Sequence, residues 1–218
     1  MEVFIIDRVS HPDKAQPLRE QQRAFTRQRL IEAARQVFAA RGYPDATVDE
    51  IASEAGASRA TFYLHFKSKT DLTAALVEDV TPFAVERYRL LDDLLANADS
   101  SLRDKLRAWL ADWLGIWSQS AQMSHALLQA ATLEPELETQ RLHQSEALVG
   151  ALERYFAGLP EADSARARDR LLLLEIMTQR ILALASMQGL PMAKSEVLDI
   201  LTDMWMGVLG VGQDREKA

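Results

Sequence analysis

The 218-residue chain has no cysteine, which excludes a disulfide framework and thiolate chemistry and fits a reducing compartment. Of its four histidines, His11, His65, His125 and His143, no two stand at the helical spacing of a metal-ligand pair. A glycine-rich phosphate loop and a nucleophile elbow are both missing. Acidic neighbours such as Asp92-Asp93 and the Glu134/Glu136 pair read as solvated helix faces. No catalytic residue, metal site or cofactor is therefore expected, and an enzyme ranks last among the readings. No apolar run approaches the roughly 18 residues that a membrane span needs. Val3 to Ile6 is apolar but lacks the basic start and the length of a signal segment. The expectation is a cytoplasmic protein without a membrane partner. Strand-like alternation and internal repeats are absent as well, so the fold class expected is all-α.

The formal charge of −7 argues at first against nucleic acid, but its distribution does not. Residues 1–72 hold 11 Lys/Arg against 10 Asp/Glu, and the remainder holds 14 against 22. Arg19, Arg23, Arg27, Arg29 and Arg35 cluster with few acids between them. Phosphate neutralisation needs a local basic face, so a small DNA-reading head on an acidic body is consistent with this pattern.

Positive evidence is densest from Thr47 to Lys69. Thr47 and Glu50 form a capping-box pair, and Val48, Ile51, Ala52 and Ala55 follow on one helical face. Gly56 suits the positive φ of a helix end, and Ser58 suits the cap of a second short helix running to about Leu64. Two short helices around a tight turn, the second bearing polar side chains, form the helix-turn-helix pattern that enters a DNA major groove. Arg59 and Thr61, near the start of the second helix, are placed to meet base edges. Thr47 is placed to hold a phosphate through its hydroxyl and the helix N-terminus. Ser58 and Lys67 are counted with them as DNA-binding residues, while Phe62 and Phe66 read as core.

The run GASRATFYLHFKSK, Gly56 to Lys69, resembles the DNA-binding signature of TetR-type transcriptional regulators. The likeness extends upstream through Ile31 to Gly42 and downstream to Asp71-Leu72. It implies that Tyr63, His65 and Lys69 hold DNA phosphates. It further implies a homodimeric repressor that binds a palindromic double-stranded operator and is released by a small-molecule effector. Ala60 stands where many relatives have glycine, which leaves base preference open.

The organisation expected is an N-terminal arm at 1–22, a helix-turn-helix domain at 23–72 and a helical ligand-binding and dimerisation domain at 73–218. The first helix should run from about Ala24 to Arg41, stopped by Gly42. The next element, from Lys67–Lys69 to about Ala98, carries Pro82, which should kink or divide it. A long helix is expected from Glu136 to about Phe156. In Leu171 to Met187 and in the last helix the apolar residues go nearly all the way round, so a second buried face is expected in a two-fold dimer. Leu172, Leu184, Leu198, Leu201, Trp205 and Leu209 are the dimerisation residues expected; the plainer alternative is a central hairpin of a monomeric bundle. Trp109, Trp113 and Trp117 recur every four residues, and with Met123, Leu127, Tyr155 and Met177 they are expected to line an apolar effector pocket. Glu175 lies in an apolar run, where an unpaired carboxylate is costly. It meets Arg180 or another basic group, or it binds the effector. The rival from another class is a helical small-molecule carrier or interaction protein that no longer binds DNA.

Overall fold

A computed structural model describes residues 18–187 and 189–210 of the chain. The first helix, α1 (Leu18–Arg41), buries Leu30, Ile31, Ala34, Val37 and Phe38, as the helical spacing requires. It begins six residues before Ala24. Its opening sequence, LREQQR, has no apolar period but consists of good helix formers, so propensity extends what periodicity does not mark. Residues 18–22 are thus the first turns of α1; residues 1–17 of the expected arm lie outside the described residues. Gly42 ends the helix at φ 78°, and a Cβ there would meet Gln129 Oε1 at 2.8 Å.

Thr47 caps α2 (Val48–Glu54) in a complete capping box: Thr47 Oγ1 accepts from Glu50 N at 3.2 Å, and Glu50 Oε2 accepts from Thr47 N at 3.0 Å. Gly56, at φ 60°, makes the turn. Ser58 then caps α3 (Arg59–His65), its Oγ accepting from Thr61 N at 3.0 Å. The next element, α4 (Lys69–Ala96), is continuous through Pro82. The proline removes one hydrogen-bond rung, but buried Leu76 and Val77 before it and Ala84 and Tyr88 after it keep both halves in register.

Beyond α4 lie α5 (Leu102–Gln119), α6 (Ala121–Leu133), α7 (Pro135–Gly150), α8 (Glu153–Ala157), α9 (Glu161–Ser186) and α10 (Lys194–Leu209). The described residues contain no strand. The single helix expected from Glu136 to Phe156 is two, and the cause is Asp92. This carboxylate is buried, not solvated, and accepts from the backbone N–H groups of Arg154 at 2.9 Å and Tyr155 at 2.8 Å. It serves as the N-terminal cap of α8 from a different helix. Its neighbour Asp93 is exposed and pairs with Arg154 Nη1 at 2.6 Å.

Two apolar cores result. The N-terminal core joins α1–α3 and the start of α4 with Ala126 and Ala130 of α6 and Leu137 of α7. The C-terminal core joins the rest of α4 with α5 and α7–α10. The helix α6 therefore belongs to the body in sequence and to the head in packing. Polar contacts reinforce this: Tyr43 N donates to Gln129 Oε1 at 3.2 Å, and Tyr43 OH to Glu134 Oε1 at 3.1 Å. Burial pushes the Tyr43 hydroxyl up to about 12.

Four residues expected at a dimer surface, Leu198, Leu201, Trp205 and Leu209, are buried in the C-terminal core of their own chain. Leu172 and Leu184 are half-buried. The near-continuous apolar pattern of α9 and α10 conceals which side meets α5, and the structure assigns that side. The large apolar residues left outside on these helices are Leu173, Ile176, Met177 and Ile200. No helix among the described residues is long and apolar enough to cross a membrane.

Candidate nucleic-acid interface

Only Phe62 of α3 is fully buried, where it meets Phe66 at 5.8 Å between ring centroids. Ser58, Arg59, Tyr63 and Leu64 are exposed, Thr61 half-buried, and Thr47 and Lys67 exposed beside them. Seven residues carrying one core anchor leave the rest of the helix surface facing outward. Arg59 is not idle there. Its Nη1 donates to Asp49 Oδ2 at 2.7 Å and its guanidinium lies 5.6 Å from the Tyr63 ring centroid. The Asp49 charge, before any other cause, raises the Arg59 pKa. A base edge must therefore displace an exposed ion pair, which costs little in water.

His65 ends α3 against α1. Burial, then the charges of Arg23 and Arg27, hold its pKa below the ordinary imidazole value. Gln22, Arg23, Thr26, Leu64 and His65 line an open cleft of about 410 Å³. The arginine cluster is thus partly a face opposite α3; Gln22 joins it because α1 begins early, while Thr26 lies in the helix already expected from Ala24. The helix-forming composition of LREQQR was the signal that could have found Gln22. Arg29 instead braces the turn between α2 and α3. Its Nη2 donates to Ala55 O and sits 2.8 Å from where a Gly56 Cβ would be.

Lys69 is placed with the others in sequence but is occupied in space. Its Nζ donates to the carbonyls of Tyr43 at 2.7 Å and Ala46 at 2.9 Å, above the Tyr43 ring at 4.2 Å. Burial lowers its pKa. It ties down the loop between α1 and α2.

The residues expected around an effector are divided between the two cores. Trp109 is buried and donates through Nε1 to Arg87 O at 2.9 Å, while Trp113 and Trp117 are half-buried against the same C-terminal core. Tyr155 joins them and donates to Leu209 O at 3.2 Å. Met123 and Leu127 pack on the N-terminal core, and Met177 is exposed. Glu175 is buried beside Tyr88, whose hydroxyl donates to Oε2, and Gln179, whose Nε2 donates to Oε1 at 2.5 Å. Arg180 is exposed and is not its partner. Burial raises the Glu175 pKa to about 7. Among the described residues no three His, Asp or Glu side chains are grouped to hold a metal ion.

Residues 30–76, which span the capped α2–α3 pair and its supports, match the family model described as bacterial regulatory proteins, tetR family. The head of this chain is therefore similar to that of TetR-family regulators. An HTH-type transcriptional regulator of Pseudomonas putida, TtgW, is 50% identical over 52 residues, covering 24% of this chain and 39% of its own. The transcriptional repressor KstR2 of Mycolicibacterium smegmatis is 31% identical over 102 residues, or 47% and 48% of the two chains. The chain spans half or less of the length of these curated relatives. A TetR-family transcriptional regulator from Streptomyces coelicolor superposes with a TM-score of 0.65 at 18% identity, covering 86% of this chain and 82% of that one. At that identity the likeness is one of fold: an N-terminal helix-turn-helix head on an all-α body.

Proposed function

We propose that this TetR-type chain is a ligand-responsive transcriptional regulator that binds a palindromic operator as a homodimer and acts as a repressor. The observation that carries the reading is the exposed outer face of α3, pinned by Phe62 and capped at both ends, with Arg59 and Thr61 on its first turn. Arg59 and Thr61 read base edges, and Ser58, Tyr63 and Thr47 fix the helix on sugar and phosphate. His65 and Lys67 flank the same strand, and Lys69 acts through the loop it holds. The α1 arginines extend the basic face beyond α3. The name of KstR2 favours repression.

In this reading the domains divide near Leu18 and near Leu72, with the start of α4 shared between head and body. Leu173, Ile176, Met177 and Ile200 meet their counterparts across a two-fold axis, with half-buried Leu172 and Leu184 beside them. Trp109, Trp113, Trp117, Tyr155 and Glu175 form the effector region of the C-terminal core. The effector acts by preferring one of two head spacings, because a ligand of equal affinity for both shifts nothing. The route to the head is α6, held to Tyr43 by Gln129 and Glu134.

The test is selection of sites from random double-stranded DNA by the purified protein. Enrichment of a palindrome supports the reading. Binding of small molecules without any DNA selection would instead favour a carrier built on the same fold.

A further inference from the structure

The seam between α4 and α5 holds polar atoms that the fold leaves without partners. Among the described residues, Arg87 Nε and Trp113 Nε1 are buried and donate to nothing. They belong to one stack, with the Arg87 guanidinium 5.4 Å from the Trp113 ring centroid. The contrast with neighbouring indoles is direct. Trp109 Nε1 donates to Arg87 O and Trp205 Nε1 to Thr178 Oγ1, each at 2.9 Å. A buried donor left unpaired costs more than an ordinary hydrogen bond returns, so two in one stack call for an acceptor.

We propose that this seam binds a small amphipathic acid, its carboxylate accepting from Arg87 Nε and Trp113 Nε1 and its apolar part lying along Trp113 and Phe83. Three observations select that chemistry. Both orphaned atoms are donors, and one belongs to a guanidinium. The acid already facing Arg87, Asp112, is a poor competitor: its Oδ2 is 3.5 Å from Nη2 and its side chain is 71% exposed. The walls are aromatic, with Phe83 and Trp113 edge-to-face at 6.5 Å and Trp109 and Trp113 at 6.2 Å. Glu175, the buried acid of this core, already accepts from Tyr88 and Gln179, and the unpartnered buried acceptor among the described residues, Gln140 Oε1, lies on α7 and not in this seam. On ligand entry Asp112 turns to solvent and the carboxylate takes its place.

This deepens the effector part of the regulator reading and rests on that reading only for its consequence at DNA. All four tryptophans, Trp109, Trp113, Trp117 and Trp205, lie in the body, so their fluorescence reports the site in the full chain. The probes are decanoate, decanol and decylammonium, titrated by tryptophan fluorescence and calorimetry. Decanoate is expected to bind saturably and at least tenfold more tightly than either analogue. Arg87→Gln should weaken decanoate about tenfold or more, and Trp113→Phe, which keeps the ring and loses the N–H, about threefold. Asp112→Asn should strengthen it, an effect that a purely structural role of Arg87 does not produce. Should Arg87→Gln fail to fold, Trp113→Phe and Asp112→Asn decide. Decanol or decylammonium binding as tightly as decanoate would overturn the proposal. So would unchanged decanoate affinity in the folded variants, or no saturable binding of decanoate. Loss of decanoate binding in a protein that still selects palindromic DNA removes the acid site alone. Decanoate that binds but leaves DNA affinity unchanged removes the effector reading and keeps the site.

Discussion

Glu175 is a carboxyl group held among leucines on α9, accepting from Tyr88 and Gln179. With its pKa raised to about 7 from 4.5, the folded chain holds a proton that the unfolded chain has released between those two values. Stability therefore falls as pH rises through that window, by roughly 3 kcal/mol in all at about 1.36 kcal/mol per unit. Glu175→Gln should flatten the decline, and urea melts at three pH values spanning the window measure it; an unchanged slope would assign the pH dependence elsewhere. Arg59 gives the complementary case on the surface. Arg59→Ala should relax base preference at one operator position and lower affinity about tenfold. Asp49→Asn, by freeing Arg59, should raise affinity for all sequences. Titrations against matched and mismatched duplexes separate the two effects. Much of this scale was legible in the sequence. Thr47, Gly56 and Ser58 do what their residue types require, because caps and turns are local. Lys69 and Asp92 were not legible, since their partners lie about two dozen and about sixty residues away.

At the scale of elements, helix existence followed from period and propensity, whereas helix ends depended on tertiary capping. The split between α7 and α8 shows this: Gly150, where α7 ends, is a residue a helix can also run through, and the break is held by Asp92 on α4. Asp92→Ala leaves two part-buried N–H groups without that acceptor and should cost about 1–3 kcal/mol. Asp92→Asn, keeping one oxygen acceptor, should cost less. Thermal melts of both variants check the ranking; equal losses would point to packing instead of capping. In the proposed mechanism the element that couples body to head is α6. Replacing Gln129 with Ala removes the acceptor for Tyr43 N and leaves Ala126 and Ala130 in the head core. Operator affinity without effector should stay within about threefold, while the response to effector falls. A full response in Gln129→Ala would place the coupling on α4 alone.

At the scale of the whole molecule, the pattern of α9 and α10 announced burial but not orientation. An all-round apolar helix gives no phase, so the side left outside the core emerged only once Leu198, Leu201, Trp205 and Leu209 were seen in the core with α5 and α9. The double variant Leu173→Glu, Ile200→Glu leaves that core intact and should yield a folded monomer by sedimentation. The head's charge is close to neutral, so one head alone should bind weakly. In the proposed reading, two heads fixed by the α9–α10 surface supply both the affinity and the symmetry of the target. The most direct measurement is enrichment from random double-stranded DNA by wild type and by this double variant in parallel. The account predicts a palindrome for wild type and loss of symmetric enrichment for the variant. Wild-type enrichment of a single unpaired half-site, or of nothing, would contradict it.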